Sequence, residues 1–585
     1  MRFNNKKNKK KAQAKIITTV LLILLVLGSV VLIFNMIKLV LENRERDIDQ
    51  NFRSFVSDIF EGEEEPDEGP DPLNLANYED VIFVDNQNIN CNDDTRESGL
   101  NSETPFCNIQ SAVDSGLLPG DIVYVREGTY NEGVLIHVSG QEEDYITIKA
   151  YPDEEAIIEP GFSGSEYVWE DLGNGKYSTI VDNLYTPDTI RLIEKDGYGI
   201  TRVNTLDELD NPDIDPVMQG FGPYNLFYFD GATNELTVKL YSITTDDLYI
   251  ADSYRRVLIV SPYIEFNGFT VQYGYDGIKP TWTIDYSVFD NHAYYARIIN
   301  NNIKHIAGQG ILSSEEGLLI EGNHMSYFGE PLEYNPQVSG QLKKNNKDHA
   351  IYFSGVDGII KNNSMEKCYN TCMHPWASDR TYPRNTVIEK NIIKEGVSIS
   401  GTNNIMKNNI IYNFLSIWED DGLKFYNNLI SLDSSQYVRT GYLPNSNLEF
   451  KNNIVLGGGG PCMETWLTEL GSADFSNNLY FDCNHYGIGE GVNRGVYNNF
   501  NDYWSAMQIQ GLESGSFYAD PMLDSEFKPI LNSPAVNEGA DLTGIVDFDF
   551  EGNPRPFGLG WDIGPYEYDG SGSIPTLSFL GKNFK

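Results

Sequence analysis

The sequence predicts an all-β chain wound into a parallel β-helix, and three observations carry that reading. An apolar/polar/Asn pattern returns about every twenty residues, from Ala296-Arg-Ile-Ile-Asn-Asn-Asn-Ile303 and Leu318-Leu-Ile-Glu-Gly-Asn-His-Met325 to Ala473-Asp-Phe-Ser-Asn-Asn-Leu-Tyr480. Taking the last Asn of each unit marks Asn302, Asn323, Asn363, Asn391, Asn409, Asn428, Asn453 and Asn478, with steps of 21, 40, 28, 18, 19, 25 and 25 residues. Units this short hold a few strands and no crossover helix, so each coil must bury its apolar side by stacking on the next, roughly 4.8 Å away. Asn at a tight corner tolerates a left-handed backbone, and its amide can bond to the Asn one rung below, so these positions are expected to form a ladder. A leucine-rich repeat has a similar length, but its leucine consensus is missing.

The chain of 585 residues carries 42 Lys+Arg against 85 Asp+Glu, a net charge of −43. With 40% hydrophobic and 12% aromatic residues it can bury a core, which excludes global disorder. Its acidity would repel phosphate backbones, which argues against a nucleic-acid partner.

Residues 1–15 read as a basic cytoplasmic tail, with seven cations between Arg2 and Lys15 and no acid. Residues 16–37 are uncharged and mostly Leu, Ile and Val, long enough at 1.5 Å per residue to span roughly 33 Å. They are expected to form a single transmembrane helix that keeps the N-terminus inside and places the body outside the cytoplasm. No small-residue cleavage site follows, so an uncleaved anchor is favoured over a signal peptide. Residues 38–78, with Glu61-Gly-Glu-Glu-Glu-Pro-Asp-Glu-Gly-Pro-Asp-Pro72, read as an acidic, self-repelling stalk.

Residues 79–160 read as an N-terminal cap and first coils: Val81-Ile-Phe-Val84, a helical spacing at Ile109, Ala112, Val113 and Leu117, then strand-like Ile122-Val-Tyr-Val125 and Val134-Leu-Ile-His137. Cys91 and Cys107 bracket fifteen residues and are the expected disulfide, worth roughly 3 kcal/mol in the chain-entropy model. Cys368-x3-Cys372 has no second zinc-type pair beside it, so those cysteines read as structural. Residues 161–256 read as a β-rich insertion, 257–485 as the Asn-marked coils, 486–570 as a closing segment and 571–585 as a tail. Within the coils, the polar stretch Glu330 to Asn346 looks like an insertion into a single turn.

Several segments resemble the right-handed parallel β-helix proteins of the pectin-lyase-like superfamily. The opening, Phe83-Val-Asp, Cys91, Pro105-Phe-Cys107-Asn-Ile-Gln-Ser-Ala-Val113 and Pro119-Gly-Asp-Ile-Val-Tyr-Val125, is similar to their cap and first coil. Asn532-Ser-Pro-Ala-Val-Asn-Glu-Gly539, Asp549-Phe-Glu-Gly-Asn-Pro-Arg-Pro556 and Asp562-Ile-Gly-Pro-Tyr-Glu567 are similar to their closing segment. The resemblance implies a right-handed coil and a carbohydrate-active protein, a polysaccharide lyase or glycoside hydrolase. The other reading is a non-catalytic carbohydrate-binding or adhesive surface protein.

Aligning coils on their Asn puts Gln309, His349 and Glu395 at one offset, fourteen residues before Asn323, Asn363 and Asn409. In the coil between stand Asn370, His374, Trp376, Asp379 and Arg380. Elimination from a uronic acid needs a base for the C5 proton, an acid for the leaving oxygen and a cation for the carboxylate, for which His349, His374, Tyr352 and Arg380 are the candidates. Hydrolysis needs two carboxyl groups, and Glu395, Asp348, Asp379 and the run Glu419-Asp420-Asp421 are the candidates. Trp376 and Trp418 could stack on sugar rings, and Gln309, Asp348, Asn370 and Asp379 could bind substrate. Glu419, Asp420 and Asp421 before Gly422 are the candidate Ca²⁺ ligands; the bland reading is a solvated turn. An acidic polysaccharide is the favoured partner. A lone corner histidine is ordinarily a hydrogen-bonded turn residue, and it is the clustering of polar and aromatic groups that singles out this flank.

Overall fold

The computed structural model describes residues 80–182, 190–252, 255–280, 292–334, 338, 341–345, 347–376, 383–440, 447–465, 473–488 and 495–570. The expected span at residues 16–37, the stalk to residue 79 and the tail from 571 lie outside them. No helix among the described residues is long and apolar enough to cross a membrane.

Three long sheets of thirteen, twelve and twelve strands run the length of the body. Each coil gives one strand to each sheet, as in Ile359–Lys361, Ser364–Cys368 and Met373–Pro375. Neighbouring coils pair in parallel, Ile320 with Ile360 and Ile360 with Ile388 in the first sheet. This is a parallel β-helix. Strand alternation turns Ile298, Ile320, Ile360, Ile388, Met406, Phe425, Phe450 and Phe475 inward as one buried column. Phe425 and Phe450 stack there with ring centroids 5.2 Å apart.

Between the first and second sheets runs the Asn ladder, one residue out of the expected register at its start. Asn301, not Asn302, is the first member: its Nδ2 donates to Asn323 Oδ1 at 3.0 Å, and its own Oδ1 accepts from Phe269 N. The ladder then follows Asn323, Asn363, Asn391, Asn409, Asn428, Asn453 and Asn478, and ends on Ser516. The two duties assigned to one Asn are split between neighbours. The preceding residue, Asn362, Lys390, Asn408 or Asn427, takes the left-handed backbone near φ +55°, and the next turns its amide inward. A side chain pointing into the corner can then meet both its own coil and the next.

Two excursions leave the corner between the second and third sheets. The first follows Ala156–Ile158 and returns at Val257–Ile259, building an eight-stranded sheet from Phe162–Ser163 to Leu248–Ala251 with its own core around Leu192, Phe227, Leu236 and Val238. The second, three coils on, is the antiparallel hairpin Leu332–Tyr334 with Gln341–Lys344, which pairs through Gln341 and Leu342 with Asp213–Ile214 of the first excursion. A stack of Tyr249, Tyr273, His305 and Tyr327 seats the inserted sheet against the coils.

The ends are closed by helices. Ile109–Asp114 buries Ile109, Ala112 and Val113 at one end. At the other, Phe500–Ile509 lays Phe500, Tyr503 and Met507 over the last coil, its first turn capped by Asn499 Oδ1 accepting from Asp502 N. Cys91–Cys107 forms as expected, and Cys368–Cys372 and Cys462–Cys483 are also disulfides.

Candidate functional site

The third sheet carries the cluster. Its strands Ile351–Phe353, Met373–Pro375, Val397–Thr402 and Leu415–Asp421 are adjacent, with Tyr352 paired to His374. Because Met373 and Pro375 point inward, His374 and Trp376 face out, beside Tyr352 on the next rung. The rings touch: His374 lies 5.3 Å from Tyr352 and 5.6 Å from Trp376, stacked on the indole.

His349 lies at the corner that its offset implies but does not face solvent. It is 1% exposed. Its main chain is strapped by Gln309, whose Oε1 accepts from His349 N at 2.9 Å and whose Nε2 donates to Lys347 O. Gln309 therefore positions the corner and faces His349, not a ligand. Thr371 O accepts from His349 Nδ1 at 2.8 Å, and His349 Nε2 lies 2.9 Å from His374 Nδ1. A carbonyl can only accept, so Nδ1 of His349 carries its proton and Nε2 is bare. His374 must then donate from Nδ1, which leaves the lone pair of the pair on His374 Nε2. His374, not His349, is the group able to take a proton from a ligand, and His349 is its positioning residue. Burial holds His349 down to about 4, and burial with the neighbouring His349 holds His374 down to about 3. Burial raises the Tyr352 phenol, so it remains a proton donor.

Glu395 shares the corner offset of His349 but stands two coils away, roughly 10 Å along the axis. It faces the disulfide: its Oε2 lies 3.2 Å from Cys372 Sγ and accepts from Cys368 N at 3.4 Å. Burial pushes its carboxyl up to about 7. Cys368, Cys372 and Glu395 place ligand-type atoms within 4.8 Å of one another, but both sulfurs are bonded to each other, so the group can hold a metal ion only after reduction. Asp348 is also engaged elsewhere, with Arg191 Nη1 at 3.3 Å and Asn345 Nδ2 at 2.6 Å.

Asn370 is half-buried at the corner before Thr371. Trp418 lies on the strand two rungs beyond Trp376, with the Arg439 guanidinium 5.3 Å from its ring. Glu419, Asp420 and Asp421, the candidate Ca²⁺ ligands, continue that strand and do not form the solvated turn of the bland reading; Asp421 is exposed and accepts from Asn447 Nδ2. The side chains of Glu419 and Asp420, and all of Asp379 and Arg380, lie outside the described residues. Sequence reasoning missed Thr371, whose carbonyl fixes both imidazoles and leaves no side-chain signature.

No family model matches the chain, and no curated protein does. Among solved structures it is similar to XylC in its complex with xylose, at 13% identity over 83% of this chain and 98% of that one, with a TM-score of 0.52. That likeness shows the fold. More distant are a pectate lyase, Pel9A (10% identity, 84% of this chain and 96% of that one, TM-score 0.35), and a glycoside hydrolase (12%, 75% and 96%, TM-score 0.35).

Proposed function

We propose that the chain is a membrane-anchored, extracytoplasmic, right-handed β-helix protein that cleaves an acidic polysaccharide, as a lyase in preference to a glycoside hydrolase. The observation that carries the reading is the outward face where His374, ordered by His349, meets Tyr352 and Trp376. In the elimination, His374 Nε2 takes the C5 proton, the C5–H electron pair forms the C4–C5 double bond, the C4–O4 bond breaks, and Tyr352 protonates the departing oxygen. Trp376 supplies the plate for a sugar ring, and Arg380 is the proposed partner of the uronate carboxylate.

An imidazole held near 3 is a weak base in the free protein. A bound carboxylate would raise it, so the base strengthens only when an acidic sugar is present. Hydrolysis is less favoured because Asp348 is paired with Arg191 and Glu395 accepts from the Cys368 main chain. The xylose bound by XylC also supports a saccharide ligand.

Incubating the protein with acidic and neutral glycans, and reading unsaturated and reducing ends, tests this. Unsaturated ends from an acidic glycan, lost in His374→Ala, are expected. Reducing ends without unsaturation would move the reading to hydrolysis. The depressed basicity of both histidines favours one other reading, a non-catalytic carbohydrate-binding surface, which predicts binding without cleavage that is lost in Trp376→Ala. For the anchor, protease added to intact cells should remove the body and spare the N-terminal tail; cleavage of the tail would reverse the orientation.

A further inference from the structure

The outward side chains of the third sheet form a column that runs past His374, and strand pairing fixes its register. Tyr352 pairs with His374, Leu312 with Tyr352, and the pairing of Ile278 with Ile311 sets Lys279 beside Leu312. Ile278 and Pro280 are buried on either side of it, so Lys279 points outward with Leu312, Tyr352 and His374. It stands two rungs from Tyr352, roughly 10 Å along the axis, and three from His374. Leu258, on the rung beyond, is 7% exposed and closes the column there.

Lys279 is half-buried, and its ammonium has no hydrogen bond or ion pair among the described residues. Other lysines of the coils are paired: Lys361 with Glu321 at 2.8 Å, Lys394 with Glu366 at 2.9 Å, Lys407 with Glu389 at 3.0 Å and Lys451 with Glu449 at 2.7 Å. The acid whose field reaches Lys279, Asp276, is engaged by Arg256 Nη1 at 2.8 Å and by Gln309 N at 3.2 Å. Burial, and after it the Arg256 charge, hold the ammonium below the ordinary lysine range. A partly desolvated cation without a counterion costs stability, and it stands in a chain whose net charge is −43 and whose other coil lysines have carboxylates beside them. An anion arriving from outside would offset that cost.

We propose that Lys279 is a specificity-determining residue, a subsite for an anionic group, carboxylate or sulfate, on a glycan laid along this column, which rests on the reading of the His374 face as glycan-binding. Tyr352 and Trp376 engage one sugar residue, and the anion at Lys279 belongs to another residue of the same chain, roughly 10 Å further along. Leu312, between them, offers apolar surface to the intervening ring. An ammonium acts as a point charge with rotatable donors, so either anion fits it.

The test is calorimetric titration of the full-length protein with polygalacturonate, dextran sulfate and dextran. At least one polyanion is expected to bind, about tenfold or more weakly in Lys279→Ala and close to wild type in Lys279→Arg, with any binding of dextran unchanged. The polyanion affected tells carboxylate from sulfate. Where it is cleaved, Lys279→Ala should raise KM and leave kcat nearly as it was, because the ammonium stands away from the reacting atoms. The melting temperature should not fall, since no bond of the folded protein is lost. Polyanion binding that is abolished by Trp376→Ala and untouched by Lys279→Ala overturns the subsite and leaves the glycan-binding face standing. Equal weakening towards dextran and polyanion would make Lys279 structural and also overturns the subsite. Binding to none of the three polymers overturns the face and the subsite together.

Discussion

His374 donates its Nδ1–H to Nε2 of His349 across 2.9 Å, and the direction is set by the Thr371 carbonyl on the far side of His349. The face of the third sheet therefore presents a lone pair at a position that neither histidine would fix alone.

Both imidazoles should stay neutral in the folded protein well below the ordinary histidine range. Nitrogen-detected NMR is expected to find the Nδ1–H tautomer at both residues at about pH 6; an imidazolium pattern there would refute the arrangement. The linkage follows in sign. Folded values lie below unfolded ones, so between about pH 6.5 and 4 the unfolded chain binds more protons. The His349 contribution to stability is full above that window and is lost as pH falls, by roughly 2–3 kcal/mol.

Glu395 should behave in the opposite sense. Its folded carboxyl is raised to about 7, so stability is full below the unfolded value near 4.5 and declines as pH rises through 7. Glu395→Gln, a neutral replacement, should raise stability by roughly 2 kcal/mol at about pH 8 and change little at about pH 4.5. Equal effects at both values would mean that Glu395 is not held protonated.

The ladder register is tested by two neighbouring residues. Asn301 makes buried bonds to Phe269, Asn323 and Phe266, whereas Asn302 Oδ1 has no hydrogen-bond partner. Asn301→Ala should cost about 2–4 kcal/mol in chemical denaturation, and Asn302→Ala under about 1 kcal/mol. The reverse order would restore the register read from the sequence.

Non-reducing peptide mapping should recover Cys91 with Cys107, Cys368 with Cys372, and Cys462 with Cys483. Metal analysis should find no zinc retained in the oxidised protein, and retention that survives thiol blocking would show that Glu395 has other ligands.

The β-helix was legible because its repeat is local: each Asn sits beside apolar residues that alternate in and out of one coil. The first rung slipped because Asn300, Asn301 and Asn302 are adjacent, and only the backbone shows that Asn300 takes the left-handed corner. The shared offset of Gln309, His349 and Glu395 was legible too, but side-chain direction at the corner was not. His349 turns to a carbonyl, Glu395 to a disulfide, and Gln309 to the neighbouring main chain. Contacts such as Arg191 with Asp348, 157 residues apart, leave no local pattern to read.

The helix Phe500–Ile509 has a consequence for how the molecule meets copies of itself. A solenoid ends on a strand whose N–H and C=O groups invite another strand, and on a core cross-section that is apolar. Here Phe500 covers Tyr480 and Tyr503 stacks on Tyr486, so the coil presents no oily disc, and its strands are met by the short terminal strands Gly495–Tyr497, Glu513–Ser514 and Phe517–Tyr518. A chain cut before Asn499 would expose the disc and two of those strand edges, and end-to-end growth into filaments would become available to a protein whose native length is set by that one plug.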